Sequence, residues 1–317
     1  MKKKELFTRY PHNPLLRPKD IPYPVNAVFN AGATRWGEKT LLLLRVEDRR
    51  GISHFTTAVS EDGLRDWVID DKPTLLPDPD LHPEEEWGIE DPRITFMEDK
   101  KEWVIAYTAY SRRGPLVSLA TTCDFRHFNR IGPVLPPENK DAALFPRLFH
   151  GRYIMLHRPV PAISGAGAHI WISVSPDLKH WGGHSVLLPA RDGGWWDAGK
   201  IGICTPPLET EEGWLVLYHG VKVTASGCLY RLGLALLDLY DPSKVIARGE
   251  EWVFAPEEPY ELLGDVDKVV FPCGWICQGD EIRLYYGGGD KCIALAFACL
   301  SEVIGWLKSE PRNRLTK

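Results

Sequence analysis

A strand-rich unit returns five times along this chain at a spacing of roughly 60 residues, longer than the ~40–50 of the common propeller repeats but built the same way. One series pairs a strand ending in a small residue with a Ser/Thr/Asp turn and, in most copies, an aromatic: HFTTAVSEDGLRDW, VSLATTCDFRHF, IWISVSPDLKHW, LGLALLDLYDP and IALAFACLSEV. A second runs ahead of it in step, in strands that end on a polar residue or glycine: TLLLLRVED, EWVIAYTAY, RYIMLHRPV, GWLVLYHGV and EIRLYYGGG. A third precedes the second, mostly with Pro or Gly close to the strand: VFNAGATR, EDPRITF, ALFPRLFH, CTPPLETE and VFPCGWIC. Such residues belong at strand beginnings, edges and bulges, so these segments read as innermost strands. WVIDDKPTLL, HWGGHSVLLP and EWVFAPEE supply a fourth strand. The expectation is an all-β chain, a five-bladed β-propeller with about four antiparallel strands per blade, spanning residues 1–317 as one domain with short terminal extensions. A β-sandwich pair or a β-helix shares the period-2 pattern but not this period and copy number. LSEVIGWLKSE reads as a short closing helix or a final strand.

The composition agrees, with 28 Gly and 26 Pro for turns and 44% hydrophobic residues for a core. A net charge of −5 with mixed signs leaves no basic stripe for nucleic acid and no polybasic patch for a membrane. Seven scattered cysteines without CxxC pairs or a neighbouring His cluster argue against a disulfide framework or a zinc site, so no metal is expected. The basic start MKKKELFTRYPHNPLLRPKD continues with Pro, His and charge where a signal peptide carries its apolar run, and no window approaches the ~18 apolar residues of a span. The expected location is cytoplasmic.

In a propeller, the strand ends at one mouth converge on the axis, so unusual polar groups there mark the cleft. The second series ends in Arg45 with Glu47, Tyr107, His157 with Arg158, Tyr218 with His219, and Tyr286 ahead of Asp290. Strands built only for packing have little use for such residues.

The motifs GIEDPRI, PENKDAALFP, YIMLHRP, WWDAGKIG, LVLYHGV, YRLGLALLDL and YYGGGD together resemble glycoside hydrolase family 130, with a likeness running from Asn13 to Leu300. That family contains the β-mannoside phosphorylases. The resemblance implies inverting phosphorolysis of a β-mannosidic bond to α-mannose 1-phosphate, on β-1,4- or β-1,2-linked mannooligosaccharides or on mannosyl-glucose or mannosyl-N-acetylglucosamine. It makes Asp91 of EDPR the catalytic acid, relayed through the 3-hydroxyl of the transferred mannose. Phosphate is itself a nucleophile, so the second carboxylate with which an inverting hydrolase activates water is not required. Without the family context, Asp-Pro also reads as an ordinary turn start.

Arg45, Arg158, Lys200, His219 and Tyr230 fall on the family's phosphate-side positions, where a dianion calls for Arg forks, a Lys charge and neutral donors. An ion pair of Arg45 with Glu47 is the structural reading of that arginine. Glu138 stands where some phosphorylases carry Arg, so a cationic ligand is missing or comes from elsewhere, such as Arg147. Sugar contacts are expected from Asn30, Arg93, Tyr107, Asn139, Lys140, Asp141, Trp196 and Asp290. Trp195 and Trp196 are the platform candidates, one of them expected in the core, and Tyr107 and Tyr110 carry the same double reading. The GGGD turn at 287–290 reads as a tight inner turn rather than a nucleotide loop, and His54, His82, His127, His169, His180 and His184 are assigned no role.

No cofactor is implied; inorganic phosphate is a co-substrate and a β-mannoside the partner, and family habit suggests a homo-oligomer. A β-mannosidase using water is the alternative, and a binding propeller without catalysis the third reading. Linkage and acceptor depend on loops such as 73–87 and 160–168.

Overall fold

The computed structural model describes residues 6–161, 167–225 and 227–309. Among them, five antiparallel sheets follow one another along the chain as the blades of a propeller. Blade 1 comprises Ala27–Trp36, Lys39–Glu47, Ser53–Ser60 and Val68–Ile69, and blade 2 Ile89–Met97, Glu102–Ser111, Gly114–Thr122 and Asn129–Leu135. Blade 3 comprises Asn139–Leu144, Tyr153–Pro159, Ile170–Ser175 and Gly182–Leu188, and blade 4 Lys200–Ile203, Gly213–Thr224, Gly227–Leu237 and Val245–Arg248. In blade 5, Val270–Gln278, Glu281–Gly288 and Cys292–Cys299 are joined by the N-terminal strand Thr8–Arg9, which pairs with Phe297 and Ala296.

The period-2 pattern gives every sheet two apolar faces, and neighbouring blades bury them against each other. Five apolar clusters result, one at each junction, exemplified by Phe145, Leu156, Trp214 and Tyr218 between blades 3 and 4. The Ser/Thr/Asp signal of the first series is a repeated turn at the foot of the third strands. Asp62 accepts backbone N–H bonds from Leu64 and Arg65, Asp124 from Arg126 and His127, and Asp177 from Lys179 and His180.

Three segments sit differently from the sequence expectation. The inner strand of blade 3 is Asn139–Leu144, ahead of most of ALFPRLFH, and that of blade 4 is Lys200–Ile203, after which Leu208–Thr210 rejoins the second strand beyond the two prolines. EWVFAPEE follows rather than forms the fourth strand of blade 4, keeping a single bridge between Phe254 and Leu232. LSEVIGWLKSE begins the helix Leu300–Ser309, while the closing strand comes from the N-terminus, where Arg9 also bonds Glu261 at 2.8 Å. No helix of the described residues is long and apolar enough to cross a membrane.

Candidate active site

All inner strands begin, and all second strands end, at one mouth. In blades 1, 2 and 3 the inner strand bulges just inside it, setting Asn30–Ala31 against Leu44, Asp91–Pro92 against Tyr107, and Asp141–Ala142 against His157. The leading residue of each bulge is left-handed, with φ of +48° at Asn30 and +53° at Asp91 and Asp141. Asn and Asp tolerate this conformation best among residues with a side chain, at a cost of roughly 1–2 kcal/mol each. The same step in blade 5 brings Pro272, whose ring forbids positive φ. There the polar group comes instead from the turn after the second strand, as Asp290 at φ +49°.

Asp91 is 2% exposed. Its Oδ1 accepts from Asn30 Nδ2 at 2.9 Å and Arg45 Nη1 at 2.8 Å, and Lys140 Nζ lies 3.8 Å from Oδ2. Arg45 also reaches Glu90 at 3.0 Å and Ser53 Oγ at 3.0 Å, with its guanidinium over Phe29. Burial alone would raise the Asp91 pKa; the charges of Arg45, Lys140 and Arg93 outweigh it and hold the carboxyl below its ordinary value. Asp290 is pushed up to about 6, by burial first, with Asp91 and Glu90 acting in the same direction against Arg45 and Lys140.

On the adjoining inner strand of blade 3, buried Asp141 accepts from Arg158 Nε at 2.8 Å, with His219 Nε2 at 3.6 Å from the same oxygen. Despite burial, the charges of Arg158, Lys140 and Arg93 hold its carboxyl well below the usual range. His219 is pushed down to about 3 by burial and is neutral; its ring lies beside Phe271 at 4.8 Å and Tyr230 at 6.3 Å between centroids. Gly202 has to be glycine, because a Cβ there would run into Asp141 Oδ2 and His219 Cε1. The Lys200 ammonium makes no ion pair with a described residue, and its pKa is lowered by burial and then by Arg158. The site thus sets the clamped Asp91 carboxyl on blade 2 against an arginine, a lysine, a neutral imidazole and a phenol on blades 3 and 4, the arginine itself paired with Asp141.

The model of glycoside hydrolase family 130, described as β-1,4-mannooligosaccharide phosphorylase, matches residues 8–309. The chain belongs to glycoside hydrolase family 130. It is 34% identical over 315 residues to the β-1,4-mannooligosaccharide phosphorylase of Ruminococcus albus, covering 96% of this chain and 92% of that one. To a β-1,2-mannobiose phosphorylase of Thermoanaerobacter sp. it is 37% identical over 307 residues, covering 92% and 96%. The solved structure of the β-1,2-mannobiose phosphorylase of Listeria innocua with β-1,2-mannobiose superimposes with a TM-score of 0.87 at 32% identity, over 96% of this chain and 99% of that one.

In this family 130 chain, Asn30, Arg45, Asp91, Lys140, Asp141, Arg158, Lys200, His219, Tyr230 and Asp290 come together around the axis. Three expected sugar ligands do not reach it. Arg93 is 1% exposed and gives its donors to carbonyls: Nε to Cys204 at 2.7 Å, Nη1 to Asp91 at 3.0 Å and Nη2 to Ile203 at 3.0 Å. It ties the inner strands of blades 2 and 4 together. Tyr107 is 1% exposed between blades 1 and 2, its hydroxyl donating to Glu85 at 2.8 Å. Trp196 stacks on Tyr218 and donates to the Glu250 carbonyl at 2.8 Å, buried between blades 3 and 4. Trp195 is the exposed member of that pair, with the Arg191 guanidinium over its ring.

Asn139 lies at the mouth but its amide is engaged by His157 Nδ1 at 3.0 Å; His157 continues through Ser173 to His184. Arg147 cannot stand in at Glu138, because it lies at the opposite mouth, paired with Glu209 at 3.1 Å. The partner of Arg45 is Glu90 with Asp91, not Glu47. Glu90 is the residue that the sequence reading missed; its only signal was a second carboxylate beside the acid.

Proposed function

We propose that the protein is an inverting β-mannoside phosphorylase that releases α-mannose 1-phosphate. The observation that carries this reading is Lys200, a half-buried ammonium with no described counter-ion, beside Arg158 and neutral donors and facing the clamped carboxyl of Asp91. A phosphate dianion supplies the missing charge. In the proposed roles Arg158, Lys200, His219 and Tyr230 hold phosphate, with Arg45 shared between phosphate and Asp91. Asn30, Lys140 and Asp290 hold the mannose, and Asp141 keeps Arg158 and His219 in place.

Asp91 is ionised in the free cleft, the form needed as base in the synthetic direction. In phosphorolysis it must carry a proton. A dianion entering among Arg158, Lys200 and Arg45 offsets the charges that depress the Asp91 pKa, and so raises its proton affinity as the nucleophile arrives. The proton then passes through the 3-hydroxyl of the mannose to the leaving oxygen while phosphate attacks from the opposite face.

A β-mannosidase keeps one specific support: Asp290, held near 6, is a carboxylate able to activate water. Relatives of both linkages stand at similar identity, 34% and 37%, so linkage is left to experiment. A cytoplasmic location and assembly as a homo-oligomer belong to the same proposal. The reverse reaction tests the reading. Given α-mannose 1-phosphate with mannose, glucose or N-acetylglucosamine as acceptor, the enzyme releases inorganic phosphate and forms a β-mannoside with at least one of them. No acceptor-dependent release with any of the three overturns phosphorolysis.

A further inference from the structure

Two exposed aromatic rings sit at the catalytic mouth without a described role. Trp87 is 42% and Tyr110 37% exposed, and their rings meet edge to face at 5.4 Å between centroids. Trp87 heads the inner strand that carries Asp91, and Tyr110 lies near the end of the second strand of the same blade. The backbone holds them together: Trp87 N–H donates to the Tyr110 carbonyl at 2.8 Å, and Tyr110 N–H to the Gly88 carbonyl at 3.1 Å.

The pair is anchored on both sides. Gly88, at φ +113°, lies so close to Ser53 of blade 1 that a Cβ would sit 2.8 Å from its backbone. Ser53 in turn accepts from Arg45, the arginine that clamps Asp91. Behind the rings, fully buried Glu85 accepts from Tyr107 at 2.8 Å and from both Nε and Nη2 of Arg130 at 3.0 Å. The segment is therefore a preformed wall fixed to the same framework as the acid.

Its position is informative. Arg158, Lys200, His219 and Tyr230 occupy blades 3 and 4, whereas Trp87 stands at the junction of blades 1 and 2, opposite blade 4, with only the shared Arg45 of the phosphate set on its side. In a single displacement the leaving sugar departs from the face opposite the nucleophile. Trp87 lies four residues ahead of Asp91 on the same segment, at most roughly 13 Å from it, a reach that leaves room for the first leaving ring between them. The rim beside the rings is charged, with Arg112 Nε donating to Glu86 at 2.9 Å. An apolar floor with a polar rim suits a sugar ring, whose C–H face stacks on an indole while its hydroxyls meet charged groups. Two rings fall far short of the ~1,000 Å² that a stable protein interface buries.

We propose that Trp87 and Tyr110 form a distal subsite that stacks a β-mannoside ring beyond the first leaving sugar, giving the enzyme a preference for longer chains. The inference rests on the phosphorylase reading, and the experiment separates the two. With phosphate present, kcat/KM is measured for mannobiose and mannotetraose of the accepted linkage, for wild type, Trp87→Ala, Tyr110→Ala and Trp87→Tyr. Wild type favours the tetraose; either alanine variant loses about tenfold on the tetraose and less than about twofold on mannobiose, and Trp87→Tyr retains most of the preference. In phosphate-free buffer, mannotetraose shifts the tryptophan fluorescence of wild type but much less that of Trp87→Ala.

Equal kcat/KM on the two substrates in wild type, or an unchanged ratio in alanine variants that melt with wild type, overturns the subsite. So does dissociation of an oligomer by either alanine variant with the ratio unchanged, which makes the rings a subunit contact. If wild type consumes neither mannobiose nor mannotetraose with phosphate present, the phosphorylase reading has failed, and the fluorescence titration alone decides the platform.

Discussion

Replacing Arg45 with methionine removes the group on which the electrostatics of the cleft turn. Its guanidinium is 12% exposed and neutralises Asp91 at 2.8 Å and Glu90 at 3.0 Å, carboxylates only 3% and 16% exposed. Taking one partner from a buried pair costs about 3–5 kcal/mol, because the charge left behind keeps its desolvation penalty. Asn30 still donates to Asp91 and Lys140 stays at 3.8 Å, which places the expected loss at the lower end, about 3 kcal/mol. For a chain of this length that lowers Tm by about 4–5 °C.

The diagnostic part is the recovery. In Arg45→Met/Asp91→Asn the deeper of the two stranded charges, that of Asp91, is gone while Glu90 stays unpaired, and about 2 kcal/mol of the loss returns as a coupling between the two sites. Urea unfolding of wild type, both single variants and the double variant, checked for reversibility, gives the cycle. A single Arg45 variant with wild-type stability, or a double variant that equals the sum of the singles, refutes the clamp.

Asp91→Asn keeps the fold, with Arg45 still paired to Glu90, and lowers turnover by at least ~10²-fold; near-normal turnover in a folded variant removes Asp91 as the acid. Lys200→Ala raises the KM for phosphate at least ~10-fold and leaves the mannoside KM within about twofold; the reverse pattern moves Lys200 into a sugar subsite. Stability also depends on pH in a calculable direction. His157 and His219 are each held near 3 in the fold and take up protons near 6.5 when unfolded, so their contribution is complete above about pH 6.5 and lost as pH falls. Asp290, raised to about 6, acts in the opposite direction between its ordinary value and 6. These two histidines, with buried His54 lowered in the same direction, against one aspartate leave at least about one proton, or at least about 3 kcal/mol lost between pH 6 and 4, read from urea midpoints. A stability that rises over that range contradicts the burial of these groups.

The five blades were legible because each strand carries its own period-2 pattern and the pattern recurs. The strand ends marked the cleft because Arg45, Arg158 and His219 break an otherwise apolar alternation. What could not be read was how a polar group is spent. Arg93 belongs to the same EDPR motif as Asp91, yet its partners are the carbonyls of Ile203 and Cys204, more than a hundred residues away, and no local signal names them. Tyr107 falls at the level of the bulge, where side chains on the second strand turn inward between blades, and only the buried Glu85 explains its hydroxyl. Of the adjacent Trp195 and Trp196, the one in the core was decided by the close approach of Gly220 and Gly233, which a sequence pattern does not reveal. The closing strand Thr8–Arg9 was hidden for a different reason: two residues are too few for a period.

The reaction's stereochemistry and its need for phosphate can be read together in one tube. Proton NMR of the enzyme with β-1,4- or β-1,2-mannobiose and phosphate follows the anomeric signals from the earliest times. The account predicts α-mannose 1-phosphate as the first product, one free mannose for each, and no consumption of either disaccharide when phosphate is left out. Free mannose formed at the same rate in phosphate-free buffer, or a β-configured sugar phosphate as the first product, contradicts it.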